Sequence, residues 1–289
     1  MKRLIINADD FGLTDGINRS VCELCAAGAL TSATLMANAE KATAAAVAAA
    51  RVPTLGIGCH LVLVDGAPVL PAKEIPTLID HTLSGPAQFR KTLGGFVRDL
   101  MRGRIRESEI EAEAIAQLGR LGDAGVRLTH IDTHKHTHMF SRVLRPVLRA
   151  ALLSKVGGIR NPFEPDWSLK ATPNAGWLRR TQIKILRSQR NYFLNATRQA
   201  GIATTDGVMG VLATGTLDLQ TLRRLLQVMP DGEWELVCHP GYHDRDLDAQ
   251  TTRLLQSREV ERNALFKAIP EAAAKDPSLA LINFGQLRA

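Results

Sequence analysis

The sequence predicts an α/β fold of parallel strands in a single domain spanning residues 1–289. Three observations predict it. Short apolar runs alternate with helical patterns along the whole chain. The 289 residues show no internal repeat, no low-complexity linker and no shift in composition, and α/β barrels of about 250 residues fold as one domain. Polar residues suited to chemistry gather where the predicted strands end.

Leu4–Ala8 reads as the first strand, and Thr14 can cap a helix that stops at Gly28. Thr31–Ala37 is the second strand, and Asn38 is placed to cap the Ala-rich helix that follows. Leu55–Leu63 is the third strand, set off by Pro53 and by Asp65-Gly66, and a proline-rich loop runs from Pro68 to Pro86. Helices are expected at Gln88–Arg102 and Ser108–Asp123. The second opens with Ser108 and Glu111, a spacing at which two side chains can satisfy two free backbone donors. Its apolar residues Ile110, Ala114, Leu118 and Leu121 recur at helical spacing. After Gly125, Val126–Asp132 is the fourth strand. Ser141–Leu153 is a helix, Gly157–Pro162 a short strand and Asn174–Gln199 a long helical stretch. A helix at Asp218–Val228, a strand at Trp234–Pro240, a helix at Gln250–Ala268 and a strand at Leu279–Phe284 complete the order.

With 45% hydrophobic and 22% charged residues, the composition is that of an ordinary globular chain. The net charge of +7 reads first as a solvated basic surface and second as a preference for an anionic membrane surface or acidic ligand. Nucleic acid is not an expected partner, because no run of five Lys/Arg occurs and aromatics make up only 4%. "MKRLII" begins like a secretory signal, but Asn7, Asp9 and Asp10 end the apolar stretch too early. The Ala42–Ala50 run is too short to span a bilayer. Cys22, Cys25, Cys59 and Cys238 imply no disulfide framework in a chain this long, so a reducing cytoplasm is the expected compartment. Cys22 and Cys25 have redox or zinc spacing, yet they lie in a predicted helix with no second such pair, which favours core packing. Cys59 and Cys238, each just before a candidate histidine, are expected to point away from the site.

The chemistry-bearing residues are Asp9 and Asp10 after the first strand, His60 on the third, Asp132, His134, His136 and His138 after the fourth, Arg160 after the fifth, and His239 with His243 near the seventh. In α/β barrels the loops after the strands converge on one face, which carries the active site. In "HIDTHKHTH", an extended chain would turn His130, Asp132, His134, His136 and His138 to one side. A metal site draws imidazole and carboxylate ligands from separate strands, and Asp10 and His60 supply the others. Adjacent carboxylates repel, and a cation bound by one relieves that while the other stays free as a general base. A strand-end turn can bring both Asp9 and Asp10 to the same pocket. The bland readings are an Asx turn for the aspartates, an adventitious His-rich loop, and a structural His239 before the Pro240-Gly241 turn.

The motifs "NADDFG" (Asn7–Gly12), "TSATLMAN" (Thr31–Asn38), "GIGCHLVL" (Gly56–Leu63), "THIDTHKHTHMF" (Thr129–Phe140) and "VCHPGY" (Val237–Tyr242) cover nearly the whole chain. Together they resemble the YdjC-like family of carbohydrate deacetylases. The resemblance implies an irregular (β/α) barrel related to the polysaccharide deacetylase barrel, and removal of N-acetyl groups from amino sugars with one divalent metal ion, Mg or Zn. Motif by motif, it makes Asp10, His60 and His134 the metal ligands, Asp9 the base, His239 the acid, and Arg160 the residue that orients Asp9. The chain departs from the pattern at Lys135-His136. Asp132, His136, His138, Asp206 and Tyr242 are then substrate contacts or supports behind the ligands.

Within the family the chain looks like the hopanoid-biosynthesis-associated branch, through Thr204–Gly215 and the basic region before it. That implies an N-acetylglucosaminyl headgroup on a lipid, with soluble chito-oligosaccharides as the alternative. Trp177–Gln199 mixes Arg179, Arg180, Lys184, Arg187, Arg190 and Arg198 with apolar residues. Such a segment can dock on anionic lipid at the inner face of the membrane, or pack as a solvated helix on the barrel. A homodimer is compatible with the sequence. Two rivals belong to other classes: a metal-dependent phosphoesterase, which would call for more Lys/Arg at strand ends, and a non-catalytic sugar-binding module, which needs neither Asp9 nor His239.

Overall fold

Among the described residues, eight strands form one parallel sheet: β1 (Lys2–Phe11), β2 (Ser32–Leu35), β3 (Gly56–Leu61), β4 (Leu128–Thr133), β5 (Gly158–Ile159), β6 (Gly207–Met209), β7 (Gly232–Cys238) and β8 (Leu279–Leu281). The structure is a computed structural model and describes residues 1–173, 181 and 186–287. The strand order is β5-β4-β3-β2-β1-β7-β6, and β8 pairs with Lys2–Leu4 of β1 on the side where β2 takes over from Asn7. The sheet curls. Arg160, just after β5, bonds to residues on β1, β4 and β7 at once, which strands so far apart in the order allow only if the sheet rolls up. Its edges meet loosely: Ile159 donates to the Ala203 carbonyl at 2.9 Å and Val208 to that of Phe163 at 3.4 Å. The result is the irregular α/β barrel that the sequence predicts.

Alternation along the strands separates two faces. Leu4, Ile6 and Ala8 of β1, Ile57, Cys59 and Leu61 of β3, and Leu236 and Cys238 of β7 join the apolar layer under the helices. Asn7, Asp9, Thr34, His60, His130, Asp132 and Glu235 are buried and bonded to one another or to Arg160 across the interior. A barrel interior is ordinarily filled by branched apolar side chains, and here it is polar. Phe284, stacked on His130 at 3.7 Å between ring centroids, sits beneath this network with Ile5 and Ile282. Gly58 makes room for that ring: a Cβ there would lie 2.5 Å from the His130 imidazole.

The helices outside are α1 (Asp15–Ala26), α2 (Ala42–Ala50), α3 (Leu93–Met101), α4 (Glu107–Asp123), α5 (Ser141–Leu153), α6 (Asp166–Ala171), α7 (Arg190–Ala200), α8 (Leu219–Val228), α9 (Arg245–Asp248) and α10 (Gln256–Lys275). Thr14 caps α1 as expected, accepting from the Ile17 amide at 3.2 Å. Two other expected caps fail. Asn38 turns away from α2 and donates to the Ala67 carbonyl, so that helix starts at Ala42 without a side-chain cap. Ser108 and Glu111 lie inside α4, and Glu111 pairs with Arg149 instead. Residues 88–92 are not helical: Phe89 bridges to Ile79, and Thr92 caps a helix that begins at Leu93. The helix expected from Gln250 starts at Gln256 and continues through Pro270 to Lys275, while β6, α6 and α9 carry too little periodic sequence to be foreseen.

The long connection between β3 and α3 is tied down from below by α4. Glu113 accepts from the Val69 and Leu70 amides at 2.8 and 3.0 Å, and Glu109 from the amide and hydroxyl of Thr77 at 2.7 Å. These anchors hold the loop along the rim of the site. Of the basic segment Trp177–Gln199, residues 177–180 and 182–185 lie outside the described residues. Its described end, in α7, packs Phe193 against Phe163 and His138, as a helix on the barrel does. Among the described residues no helix is long and apolar enough to cross a membrane.

Candidate active site

The turn that brings both aspartates inward is a local break in β1. The pairing of β1 with β2 shifts register between Ala8 and Phe11, and Asp10 has φ +64°, the left-handed region. Gly12 follows with φ +95°, where a Cβ would approach Leu35 to 2.8 Å, and its amide is held by Asn18 Oδ1 at 2.8 Å. Asp9 and Asp10 are both buried and both face the cleft.

Around Asp10 three donor atoms converge. Its Oδ1 lies 3.6 Å from His60 Nε2 and 3.7 Å from His134 Nδ1, and the two ring nitrogens are 3.2 Å apart. His60 Nδ1 bonds Asp132 at 2.8 Å, which turns Nε2 toward the other two. Burial lowers His134 to about 4, so its ring is neutral and able to ligate. Burial also disfavours charge on His60, but Asp132, Asp9 and Asp10 overcome this and raise it to about 9. A cluster this rich in lone pairs needs a cation or a proton among them. One carboxylate oxygen and two imidazole nitrogens within 4.8 Å of one another suit a divalent ion. A second group, Asp9, His60 and Asp132, is equally compact, but there the guanidinium of Arg160 already occupies both carboxylates.

Arg160 is fully buried and serves three acids. Its Nη1 and Nη2 donate to Asp9 at 2.9 and 2.7 Å, Nη1 also meets Asp132, and Nε donates to Glu235 at 2.7 Å. Asp9 Oδ1 further accepts from Asn7 at 3.1 Å and Thr34 at 3.3 Å. Burial opposes ionisation of both aspartates. Arg160 beside Asp9 and Arg258 beside Asp10 overcome it, so both carboxyls sit well below the usual range. His239 Nε2 stands 3.8 Å from Asp9 Oδ2. The site opens into a cleft of about 790 Å³, lined also by His136, Lys135, Lys91, Thr214 and the Gln250–Leu254 loop.

The His-rich segment departs from the alternation expected of it. β4 ends at Thr133, and His134–Met139 forms a tight 3-10 turn in which Lys135 and His136 have φ +57° and +52°. His134 and His136 reach the cleft, while His138 is buried behind it. His138 donates from Nε2 to the Arg160 carbonyl at 3.1 Å and accepts at Nδ1 from Thr133 at 2.7 Å, so both its ring nitrogens are taken up behind the cleft. His130 also lies inside the barrel, bonded to Asn7 at 3.1 Å. His243 pairs with Asp248 outside the cleft lining.

Two expected residues are not brought to the site. Asp206 lies at the opposite end of the sheet, accepting from the Glu233 amide at the start of β7, because it precedes β6 rather than follows it. Tyr242 turns outward, donating to Glu23 at 2.5 Å with Arg19 and Arg262 against its ring. Around the site, buried Glu235, Arg258 and Glu261 were not foreseen. Glu235, raised by burial to about 8, completes the Arg160 cluster. On α10, Arg258 donates to Asp10 Oδ2 at 2.6 Å, and Glu261, three residues on, accepts from the His239 amide at 2.6 Å. A Glu amid the apolar "WELVC" strand is a readable signal, since a buried charge demands a partner.

The curled parallel sheet has counterparts among solved structures of low sequence identity. A peptidoglycan N-acetylglucosamine deacetylase shares the fold, with TM-score 0.50 at 11% identity over 99% of this chain and 87% of that one. The chain itself belongs to the YdjC-like family, whose model, described as YdjC-like protein, matches residues 3–274. A carbohydrate deacetylase of Brevibacillus brevis is 34% identical over 286 residues, 99% of either chain. A chitooligosaccharide deacetylase of Enterobacter sp. is 38% identical over 152 residues, 52% of this chain and 56% of that one. Among solved structures, a protein of Enterococcus faecalis V583, described provisionally as a cellobiose-phosphate cleavage protein, superposes with TM-score 0.76 at 25% identity, covering 98% of this chain and 97% of that one.

Proposed function

We propose that the protein is a metal-dependent N-deacetylase that hydrolyses the acetamide of an N-acetylglucosaminyl group. One observation carries the reading: a carboxylate clamped by arginine, Asp9, faces His239 across 3.8 Å, beside the three-donor group of Asp10, His60 and His134. The names of the Brevibacillus and Enterobacter relatives support the substrate class.

When bound by Asp10, His60 and His134, a divalent ion supplies Lewis acidity to the acetyl carbonyl and acidifies water. Asp132 fixes the His60 ring with Nε2 toward Asp10 and His134, the residues that would hold the ion with it. Arg160, Asn7 and Thr34 hold Asp9 in one orientation, with three of their four contacts on Oδ1. Oδ2 therefore keeps capacity to accept a proton from the attacking water. Protonated His239 donates from Nε2 to the leaving nitrogen as the C–N bond breaks, without which an amine is a very poor leaving group. The proton gained by Asp9 and the one lost by His239 balance when one passes between them through water. Glu261 holds the His239 backbone in place.

The finer reading places the sugar on a hopanoid lipid, supported by the resemblance of Thr204–Gly215. A second reading, soluble chito-oligosaccharides, is supported by the Enterobacter relative. Acetate release from N-acetylglucosaminyl hopanoid, measured beside chitobiose with metal-supplied protein, separates them. Release from the lipid alone favours the first and from chitobiose alone the second. Release from no N-acetylglucosaminyl substrate sinks the deacetylase reading.

A further inference from the structure

Arg258 is wholly buried in the first turn of α10, with an unusual set of partners. Nη2 donates to Asp10 Oδ2 at 2.6 Å and Nε to the Leu254 carbonyl at 3.0 Å. Nη1 is buried with no hydrogen-bond partner among the described residues. A cation taken this far out of water needs an opposite charge, and Asp10 is the carboxylate its guanidinium touches. Glu261, one turn on, is pushed toward its neutral form by burial.

We propose that Arg258 is a positioning and charge-compensating residue for the metal ligand Asp10. It occupies Oδ2, so that Oδ1 alone is presented to the His60–His134 pair, and its charge largely cancels that of Asp10. The proposal rests on the reading of Asp10, His60 and His134 as metal ligands. A donor set made nearly neutral in this way binds a divalent ion less tightly than a free carboxylate would, yet leaves the ion most of its charge. Affinity is thereby exchanged for polarising power. The Leu254 contact links the same guanidinium to the cleft-lining Gln250–Leu254 loop, so the orientation of the ligand depends on the seating of that loop.

The test is calorimetric binding of Zn²⁺ and Mn²⁺ at one neutral pH to metal-free wild type, Arg258→Met, Arg258→Gln and Arg258→Lys. Turnover is measured on the metal-saturated proteins. Loss of the charge should tighten metal binding about tenfold or more in the Met and Gln variants while turnover falls. Arg258→Lys, which keeps the charge, should stay within about threefold of wild type in affinity. A merely structural arginine would give weaker metal binding on removal, not tighter. If Arg258→Met does not fold, Arg258→Gln, which can still donate to Asp10, decides. Wild type that binds metal, with Gln and Met variants that bind it equally or less tightly, overturns the proposal alone. Wild type that binds neither ion overturns the metal reading and the proposal with it.

Discussion

Replacing Arg160 by methionine removes the guanidinium shared by Asp9, Asp132 and Glu235, all of them buried. Glu235, raised by burial to about 8, is largely protonated at neutral pH and tolerates the loss. Asp9 and Asp132 do not. Breaking a buried ion pair from one side costs about 3–5 kcal/mol, because an uncompensated charge stays behind. Asp9 retains its bonds to Asn7 and Thr34, and Asp132 its bond to His60, so the total should stay within that range and not double it. The pH dependence has a definite sign. In the wild type the Asp9 carboxyl is held well below its ordinary value, so its stabilisation is present above the unfolded-state pKa and lost only in strong acid. In the variant, burial without the guanidinium raises the Asp9 carboxyl, and its protonation relieves the penalty as pH falls. Urea unfolding of metal-free protein should show Arg160→Met less stable by about 3–5 kcal/mol at about pH 7.5, with the gap narrowing by about pH 5. A loss under about 1 kcal/mol, or a gap that stays constant or widens toward acid, would refute the reasoning.

Three further outcomes follow from the geometry. Asp132→Asn should weaken metal binding about 10- to 100-fold while the protein stays folded, because the His60 ring loses the partner that fixes Nε2; competition with a fluorescent chelator measures this. His138→Leu should cost about 1–3 kcal/mol in urea unfolding, through the unpaired Arg160 carbonyl and a Thr133 hydroxyl proton left without its acceptor, yet leave metal affinity unchanged. Gly58→Ala should lower stability by about 1–3 kcal/mol, because the His130 ring must shift to admit the methyl; a fully neutral variant would contradict the polar packing described for the barrel interior.

Much of this architecture was legible in the sequence because periodicity and punctuation agree there. The Thr14 cap, the Gly28 stop and the alternating apolar positions of Ile57, Cys59 and Leu61 fall where local preference and tertiary contacts agree. Asn38, Ser108 and Glu111 had cap chemistry, but tertiary partners claimed Asn38 and Glu111, and α4 began at Glu107. In "HIDTHKHTH" the alternation ends at Thr133, and after the left-handed turn at Lys135 and His136 the chain leaves His134 and His136 at the cleft and His138 behind it. No spacing rule announces such a turn at non-glycine residues. Arg258 and Glu261 lie three apart on a helix rich in charged residues, and nothing in their spacing marks them as buried. Only the curling of the sheet, which brings the start of α10 against β1, shows that they support Asp10 and His239.

The division of labour between the two adjacent aspartates is most directly tested by measuring metal stoichiometry and acetate release on Asp9→Asn and Asp10→Asn side by side. The account predicts that Asp9→Asn binds the divalent ion as the wild type does and releases no acetate, whereas Asp10→Asn loses both the ion and the activity. Substantial turnover by Asp9→Asn, or full metal affinity in Asp10→Asn, would contradict it.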